Sequence, residues 1–334
     1  MSIATVRRPS VWPFTGVIAG LAAAFLPVAA GYLKRYSLPL SSAAAIYGCF
    51  LLLLIYLIAP AMAAARGLLG KVIVGQYKAA IVLALLILPY VLYVAGTADF
   101  RWQALVRLVA MAAPVLLVYS VFPVRDAAKF NWQDAWVAIW LVPIVLFHLF
   151  KGIWNVPANL DFMARLFLVS LGALSWTYIR PLPDLGYRLD FSRRALFAAA
   201  QNFIFFAAIS IPLGLVLGFT SWNPRWHGLA DFLLRYLEIL LFVAVLEELF
   251  FRGFLQNLLE KSLRSWWRGQ LLASCIFGLF HILHAPFPNW RYVVLASIAG
   301  WFYGSAYRSG GTLLSSALLH AMVDTVWRTF FTKS

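Results

Sequence analysis

The sequence predicts an all-α, polytopic transmembrane helical bundle of about ten or eleven spans. Of its 334 residues, 63% are hydrophobic and 12% are charged, whereas soluble domains are about 45–50% apolar and about 25% charged. A chain of this composition lacks the polar residues needed to cover a water-facing surface. That excludes a soluble enzyme, a disordered protein and a secreted disulfide scaffold. Apolar runs of about 20 residues, the length that crosses a bilayer, recur along the chain.

Eleven apolar segments account for the bundle in chain order. Six precede a polar, proline-rich stretch at residues 180–194, and five follow it. The fifth segment is short and Arg107 interrupts the fourth, so ten spans fit nearly as well. The predicted spans are 14–33, 41–62, 79–97, 105–124, 135–150, 162–179, 195–219, 229–258, 270–284, 290–307 and 312–331.

The polar stretch predicts a division of the chain into two regions. Residues 1–190 form a multi-pass membrane region of unknown role, and residues 191–334 hold the candidate chemistry. The formal net charge of +15 comes from basic residues scattered between apolar runs, without a basic stripe. Such loops are typical of membrane orientation and of contact with anionic lipid head groups. The bilayer is therefore the expected partner, and nucleic acid is not.

Ionisable residues inside apolar runs are the candidates for chemistry, because each costs about 2.5–3.5 kcal/mol to insert into a bilayer. Glu248 and Arg252 are four residues apart, so they share a helix face and can form an ion pair. Glu247 is rotated by about 100° and keeps its carboxylate for another partner. The candidate site residues, all in the last four spans, are Glu247, Glu248, Arg252, His281, His320 and Asp324.

Four of these side chains are expected at one depth in the membrane. At the rise of an α-helix, Glu247 lies about 21 Å before the 259–269 loop and His281 about 17 Å after it. His320 and Asp324 lie about 12 and 18 Å after the 308–311 turn. Those loops are two spans apart, so they share a side of the membrane. The four groups can therefore meet in one pocket.

The pocket has the composition of a peptide hydrolase. A carboxylate beside an imidazole can deprotonate water, and a second imidazole can donate a hydrogen bond to the oxyanion. No Ser or Cys lies in a G-x-S-x-G elbow, so a covalent nucleophile is not indicated. A carboxylate and two imidazoles, here Glu247, His281 and His320, would also suit zinc, so a metal site is an open alternative.

At these residues the sequence resembles the CAAX-protease and bacteriocin-processing (CPBP) family of intramembrane endopeptidases, which includes the CAAX prenyl endopeptidase. The family pattern is Glu-Glu-x-x-x-Arg, then Phe-x-x-x-His, then His-x-x-x-Asn/Asp, on successive helices. This chain has all three in order, as Glu247-Glu248-Leu-Phe-Phe-Arg252, Phe277-Gly-Leu-Phe-His281 and His320-Ala-Met-Val-Asp324. The resemblance covers about residues 229–331, so residues 191–334 are the expected protease core.

The resemblance implies a role for each motif residue. Glu247 and His281 would activate the attacking water, His320 with residue 324 would stabilise the oxyanion, and Glu248 with Arg252 would orient the site. Position 324 is Asp where prenyl endopeptidases carry Asn. Because an ionised Asp only accepts hydrogen bonds, Asp324 is expected to fix the His320 tautomer, to stay protonated, or to help bind a metal. The metal-free, glutamate-dependent mechanism is preferred, with no cofactor and with zinc as the alternative.

The expected function is hydrolysis of a peptide bond in a membrane-associated peptide or protein, in a multi-pass protein of the bacterial inner membrane. A proton-coupled transporter could use the same buried groups as a relay, and a non-catalytic immunity or scaffold member could retain them. A hydrolase requires Glu247 and His281 within about one water molecule of each other. A transporter would instead place its ionisable groups along a path.

Overall fold

Helices make up almost all the regular structure in residues 10–333, which the computed structural model describes. Contacts divide the chain into two units. The first comprises the chain up to Pro123 together with Val137–Pro181, and the second comprises Val124–Trp136 together with the residues from Leu182 onwards. The predicted all-α membrane bundle is thereby confirmed as the fold class.

The first unit contains the early membrane helices. They are α1 (Trp12–Tyr36), α2 (Leu40–Ile58), α3 (Ala63–Val72), α4 (Lys78–Thr97), α5 (Trp102–Val121), most of α6 (Trp132–Leu146) and α7 (Asp161–Leu174), which continues as a π-helix to Ile179. Its loops are pinned by polar contacts. Tyr93 donates to Asp99 at 2.6 Å, and the Arg101 guanidinium donates to the carbonyls of Gly152 and Ile153 at 3.0 and 2.6 Å.

The second unit contains the candidate site residues. It begins with α8 (Arg193–Val216), after which the backbone is helical without interruption from 229 to 262. This long helix comprises α9 (Leu229–Ile239), a π-helix (Leu240–Ala244), α10 (Val245–Glu248), a second π-helix (Leu249–Gln256) and α11 (Asn257–Ser262). The remaining helices are α12 (Trp266–Leu279), α13 (Trp290–Gly310) and α14 (Leu313–Phe330).

Six helices in the described part of the chain are long and apolar enough to cross a membrane. Each coincides with one of the predicted spans: Trp12–Tyr36, Leu40–Ala61, Gly75–Thr97, Trp102–Val121, Asp161–Ile179 and Arg193–Val216. Helices α13 and α14, with 21 and 18 residues, have sufficient length but lower hydropathy because they carry polar groups. The protein is a multi-pass membrane protein.

Small residues let the helices of the second unit approach closely. Ile239 and Ala244 of the long helix pack against Ala317 and Ala321 of α14. Between α12 and α13, a Cβ added at Gly278 would stand 2.0 Å from Ser297 Oγ. Alanine and glycine at such contacts bring helix backbones together in membrane bundles. The contacts place α10 against α14, and α12 against α13.

Three features differ from the predicted elements. Helix α12 ends at Leu279, although the sequence predicts a span to residue 284. Pro286 and Pro288 follow, and proline disfavours helix at itself and at the residue before it, so residues 280–288 form turns instead. Helix α3 was not predicted. Neither was a short antiparallel ribbon between β1 (Thr220–Trp222) and β2 (Phe331–Lys333).

Candidate active site

Glu247 and Glu248 form the end of α10, between the two π-helical segments of the long helix. A π-helical turn takes an extra residue, and such segments are frequent at functional sites. The two carboxylates have different environments: the Glu248 side chain is fully buried, whereas the Glu247 side chain is 31% exposed. One glutamate is therefore held inside the bundle, and its neighbour lies at the edge of an open region.

Glu248 is the hub of a buried polar network. His320 Nδ1 lies 2.8 Å from its Oε1, Ser316 donates to its Oε2, and Arg252 Nε lies 3.1 Å from the same Oε2. The predicted ion pair between Glu248 and Arg252 is thus present. Because a carboxylate accepts hydrogen bonds, His320 carries its proton on Nδ1 when neutral. Glu248 therefore fixes both the orientation and the tautomer of this imidazole.

Arg252 completes the network from the opposite side. Its Nη2 donates to the Gly300 carbonyl at 3.2 Å, and its guanidinium lies 4.9 Å from the ring centre of Phe277 and 5.5 Å from that of Tyr303. Nη1 has no hydrogen-bond partner among the described residues. A cation over aromatic faces is stabilised by the ring quadrupole, and more strongly where water is excluded. The buried positive charge is therefore held by one carboxylate and two rings.

The imidazole of His320 contacts two aromatic rings. Tyr303 stacks on it with ring centres 4.5 Å apart and an interplanar angle of 19°. Phe277 meets it edge-on, 5.9 Å away and at 90°. With Nδ1 bound to Glu248, these contacts leave His320 one orientation, in which Nε2 points towards two other carboxylates.

Those carboxylates are Glu247 and Asp324. His320 Nε2 lies 3.9 Å from Glu247 Oε2 and 4.0 Å from Asp324 Oδ1, and the Asp324 side chain is 31% exposed, like that of Glu247. Separations of this length are beyond a direct hydrogen bond and are suited to bridging by a water molecule. The site thus has a buried half around Glu248 and an accessible half around His320 Nε2.

His281 lies in the turn that follows α12, because the helix ends two residues earlier. Its Nδ1 is 2.9 Å from the Phe277 carbonyl, and its ring lies 4.4 Å from that of Tyr292. The ring of Phe277 also contacts it, with ring centres 5.0 Å apart. His281 is therefore held between the Phe277 and Tyr292 rings, and Phe277 links it to His320.

The structure thus brings five of the six candidate residues into one network and places His281 one aromatic ring away. Three participants were not predicted: Ser316, Tyr303 and Tyr292. Ser316 had a detectable signal, since Ser316, His320 and Asp324 recur at four-residue intervals on one face of a helix. The two tyrosines had none, because an aromatic residue in an apolar run is indistinguishable from ordinary packing.

The zinc alternative stays a prediction. Among the described residues, no group of three or more His, Cys, Asp or Glu side chains is placed to hold a metal ion. His320 Nδ1 is bound to Glu248, so a metal at this imidazole would have to use Nε2, as zinc-bound histidines with a carboxylate on the other ring nitrogen do. We derive no chemical step through a metal.

Comparison with known proteins relates the part of the chain that holds the site to a family. Neither the curated proteins nor the solved structures gave a match to this chain. A protein-family model did match: residues 229–326 fit the family described as type II CAAX prenyl endopeptidase, Rce1-like. The matched segment contains the long helix and all three motifs. It confirms the resemblance to CAAX proteases, which extends over residues 229–326 of this multi-pass membrane protein.

Proposed function

We propose that this protein is an intramembrane endopeptidase that hydrolyses a peptide bond of a membrane-associated substrate with water activated by Glu247 and His281. One observation carries the proposal: a buried network of Glu248, Arg252 and His320 ends at an imidazole nitrogen flanked by two accessible carboxylates. Water activation requires acid–base groups that water and substrate can reach and that their surroundings hold in position. The bacterial inner membrane is the proposed location.

Glu247 is the proposed general base. Its carboxylate removes a proton from water, and the resulting hydroxide attacks the substrate carbonyl carbon. His281 supports this step, because its Nδ1 donates to the Phe277 carbonyl, which leaves Nε2 as an acceptor in the neutral ring. The Phe277 ring contacts both His281 and His320, which places His281 beside the network that contains Glu247 and favours a shared water molecule between the two. The proton taken by Glu247 then passes to the leaving amine.

His320 is the proposed donor to the oxyanion. With Nδ1 donated to Glu248, its Nε2 can donate only as imidazolium. The cluster of three carboxylates and one guanidinium carries an excess of negative charge, so a cation at His320 reduces that excess. A fixed donor aimed at the developing charge costs no reorganisation during the reaction. Asp324, 4.0 Å from Nε2, would stabilise the imidazolium by its negative charge before substrate binds.

The side chains also support water, rather than a covalent nucleophile, as the attacking group. Ser316 is the hydroxyl within the network, but it is fully buried and donates to Glu248. Its placement suits orientation of Glu248 and gives no access to a substrate carbonyl. The substrate class that we propose first is a CAAX-type C-terminal peptide, because the matched family is described by that activity.

The test compares Glu247→Gln with Glu238→Gln, a glutamate-to-glutamine change on the same long helix. Membrane peptides would be profiled by mass spectrometry in cells producing each variant or the parent protein, and purified proteins would be assayed on a quenched CAAX-type peptide. We expect a loss of at least about 10³-fold in turnover for Glu247→Gln alone, the scale of losing a general base, with uncleaved precursors accumulating.

Chelation separates the metal-free mechanism from its alternative. Incubation of the parent protein with a zinc chelator is expected to leave turnover unchanged. Activity lost on chelation and restored by zinc would contradict the metal-free part of the proposal. Retention of normal turnover by Glu247→Gln would contradict the assignment of the base.

A further inference from the structure

The active site opens towards one end of the second unit. Glu248 and Arg252 have no exposed side-chain surface, whereas Glu247 and Asp324 are 31% exposed. Beyond Asp324, α14 continues for six residues and then runs directly into β2. The accessible half of the site is therefore on the side of the β1–β2 ribbon, and the buried half is on the side of α11.

The ribbon has an open edge. β1 pairs antiparallel with β2, with Ser221 opposite Thr332, and the pairing continues where Asn223 N donates to Phe330 O at 2.9 Å. In an antiparallel ladder alternate residues face the partner strand. Because Ser221 and Asn223 face β2, the N–H and C=O of Trp222 point away from it. Open sheet edges are not tolerated in hydrocarbon, so this edge belongs at the membrane surface.

A continuous aromatic wall joins the ribbon to the site. Phe219, directly before β1, lies 5.1 Å from Tyr292 and 5.3 Å from Trp327. Tyr292 in turn lies 4.4 Å from His281, and Trp327 lies 5.8 Å from Phe331 of β2. Each step is a direct ring contact. The ribbon therefore packs next to the accessible half of the site.

Three arginines without acidic partners lie in or next to the segments that form the ribbon. Within residues 10–333, Arg225, Arg291 and Arg328 form no ion pair with Asp or Glu, and all three are exposed. Arg225 belongs to the ribbon, since its N donates to Thr329 O at 2.7 Å. Arg291 donates to the Gly218 carbonyl at 3.3 Å, next to β1. Unpaired guanidinium groups are strong binders of carboxylates.

We propose that the open edge of the β1–β2 ribbon binds an extended, carboxylate-bearing segment of the substrate by strand addition. Main-chain hydrogen bonds to Trp222 would supply the pairing, as in other cases of strand addition. The arginines would supply selectivity for anionic segments. Extended binding also presents a peptide bond in the conformation that a hydrolase needs. This inference rests on the proposed endopeptidase function, but it concerns binding and can be measured apart from turnover.

The ribbon also carries exposed tryptophans, which alone would indicate an interfacial anchor. Trp222 and Trp226 are 63% and 52% exposed, and tryptophan is enriched at membrane–water interfaces. Anchoring can use the arginines, which would bind anionic lipid head groups, but it needs no open backbone edge, so it predicts no dependence of peptide binding on backbone N–H groups. The two interpretations therefore differ in a measurable way.

The experiment measures binding without cleavage, in the full chain carrying Glu247→Gln and reconstituted in lipid nanodiscs. The probes are fluorescein-labelled decapeptides that share the same apolar core. In the first the core is flanked by aspartates, in the second by lysines, and the third repeats the aspartate peptide with alternate backbone nitrogens methylated. Two neutral peptides differ only in ending with a carboxylic acid or an amide. Anisotropy titrations would compare this protein with versions that add Arg225→Glu, Arg328→Glu or, as a matched control, the exposed Arg193→Glu.

We expect the aspartate peptide to bind about tenfold more weakly to Arg225→Glu and Arg328→Glu than to the parent or the Arg193→Glu control, the scale of a reversed charge in a recognition surface. N-methylation should weaken it similarly, and the acid–amide pair shows whether a terminal carboxylate suffices. Equal affinities across the arginine variants, unchanged binding after N-methylation, or no saturable binding would each overturn the proposal. If the peptides bind as expected but the protein with Glu247 intact cleaves none of them, the proposed endopeptidase function would be contradicted while binding at the ribbon edge would be supported.

Discussion

Glu247 and Glu248 are adjacent glutamates in different environments, one accessible and one buried. Glu248 pairs with the fully buried guanidinium of Arg252 and also accepts hydrogen bonds from Ser316 and His320. Glu247 is partly exposed at the open half of the site. Glu248 therefore supports the structure of the site, whereas Glu247 is the proposed reacting group, and substitutions can test this division.

We expect Glu248→Ala to lower the free energy of unfolding by about 3–5 kcal/mol, because removal of one partner of a buried ion pair leaves the other charge uncompensated. Glu247→Ala should change it by less than about 1 kcal/mol. Thermal unfolding of both variants in detergent, followed by tryptophan fluorescence, measures the difference. Equal destabilisation by the two substitutions would contradict the division into a buried and an accessible half.

Tyr303 is a positioning residue for His320, and its ring carries that role. Tyr303→Phe keeps the stacked ring and should retain turnover within about threefold, whereas Tyr303→Leu loses the ring and should lower kcat by about tenfold or more, the cost of a displaced catalytic group. A kcat–KM comparison over a range of pH measures this. A lowered stability with an unchanged pH profile in Tyr303→Leu would show that the ring only fills space.

The sequence could identify the acidic and imidazole residues but not the geometry that arranges them. Ionisable groups are costly in an apolar run, so Glu247, Glu248 and His320 stand out from their neighbours. Tyr303 does not stand out, because its contribution is a stacking distance and angle. The sequence also gave no sign that Nδ1 of His320 is bound to Glu248, since residues 72 positions apart meet only through tertiary packing.

At the scale of helices, composition predicts well that a helix exists but poorly where it ends. Six predicted spans coincide with long apolar helices, because about 20 apolar residues in lipid have few alternatives to helix. The end of α12 and the π-helical segments around α10 were not predicted. Hydrophobic periodicity does not register a single extra residue in a turn, and these segments depend on packing against α14.

Gly278 tests whether the close approach of α12 and α13 matters for the site. A Cβ there would stand 2.0 Å from Ser297 Oγ and 2.6 Å from Val293 O. The backbone carbonyl cannot move aside, so Gly278→Ala should destabilise the protein by about 1–3 kcal/mol, as overpacking does. It should also lower turnover, because Phe277 is adjacent.

Gly67→Ala is the matched control for that substitution. Gly67 lies in α3, and an added Cβ meets nothing within 4 Å; alanine there favours helix by up to about 1 kcal/mol. The midpoint of thermal unfolding in detergent compares the two variants. If Gly278→Ala unfolds at the same temperature as Gly67→Ala, the glycine contact between α12 and α13 does not set the packing of the site.

At the scale of the second unit, the loops fall into two groups at opposite ends. Lys261 lies 3.0 Å from Asp184, and Arg188 donates to the Gly311 carbonyl at 3.0 Å, so the loops near 184–188, 261–265 and 308–312 share one end. The ribbon lies at the other end, where Arg291 reaches Gly218. α13 joins the two ends, and its 21 residues span about 31 Å, close to the thickness of the hydrocarbon layer.

We therefore expect these ends to face opposite sides of the membrane. Ser309→Cys and Ser265→Cys should be labelled from one side by a membrane-impermeant maleimide, and Ser221→Cys in the ribbon from the other. The background is Cys275→Ser, because Cys275 is exposed whereas Cys49 is buried. Labelling of intact cells, compared with opened membranes, measures the side. If Ser221→Cys and Ser309→Cys react from the same side, α13 does not cross the bilayer, and an active site at membrane depth cannot be retained.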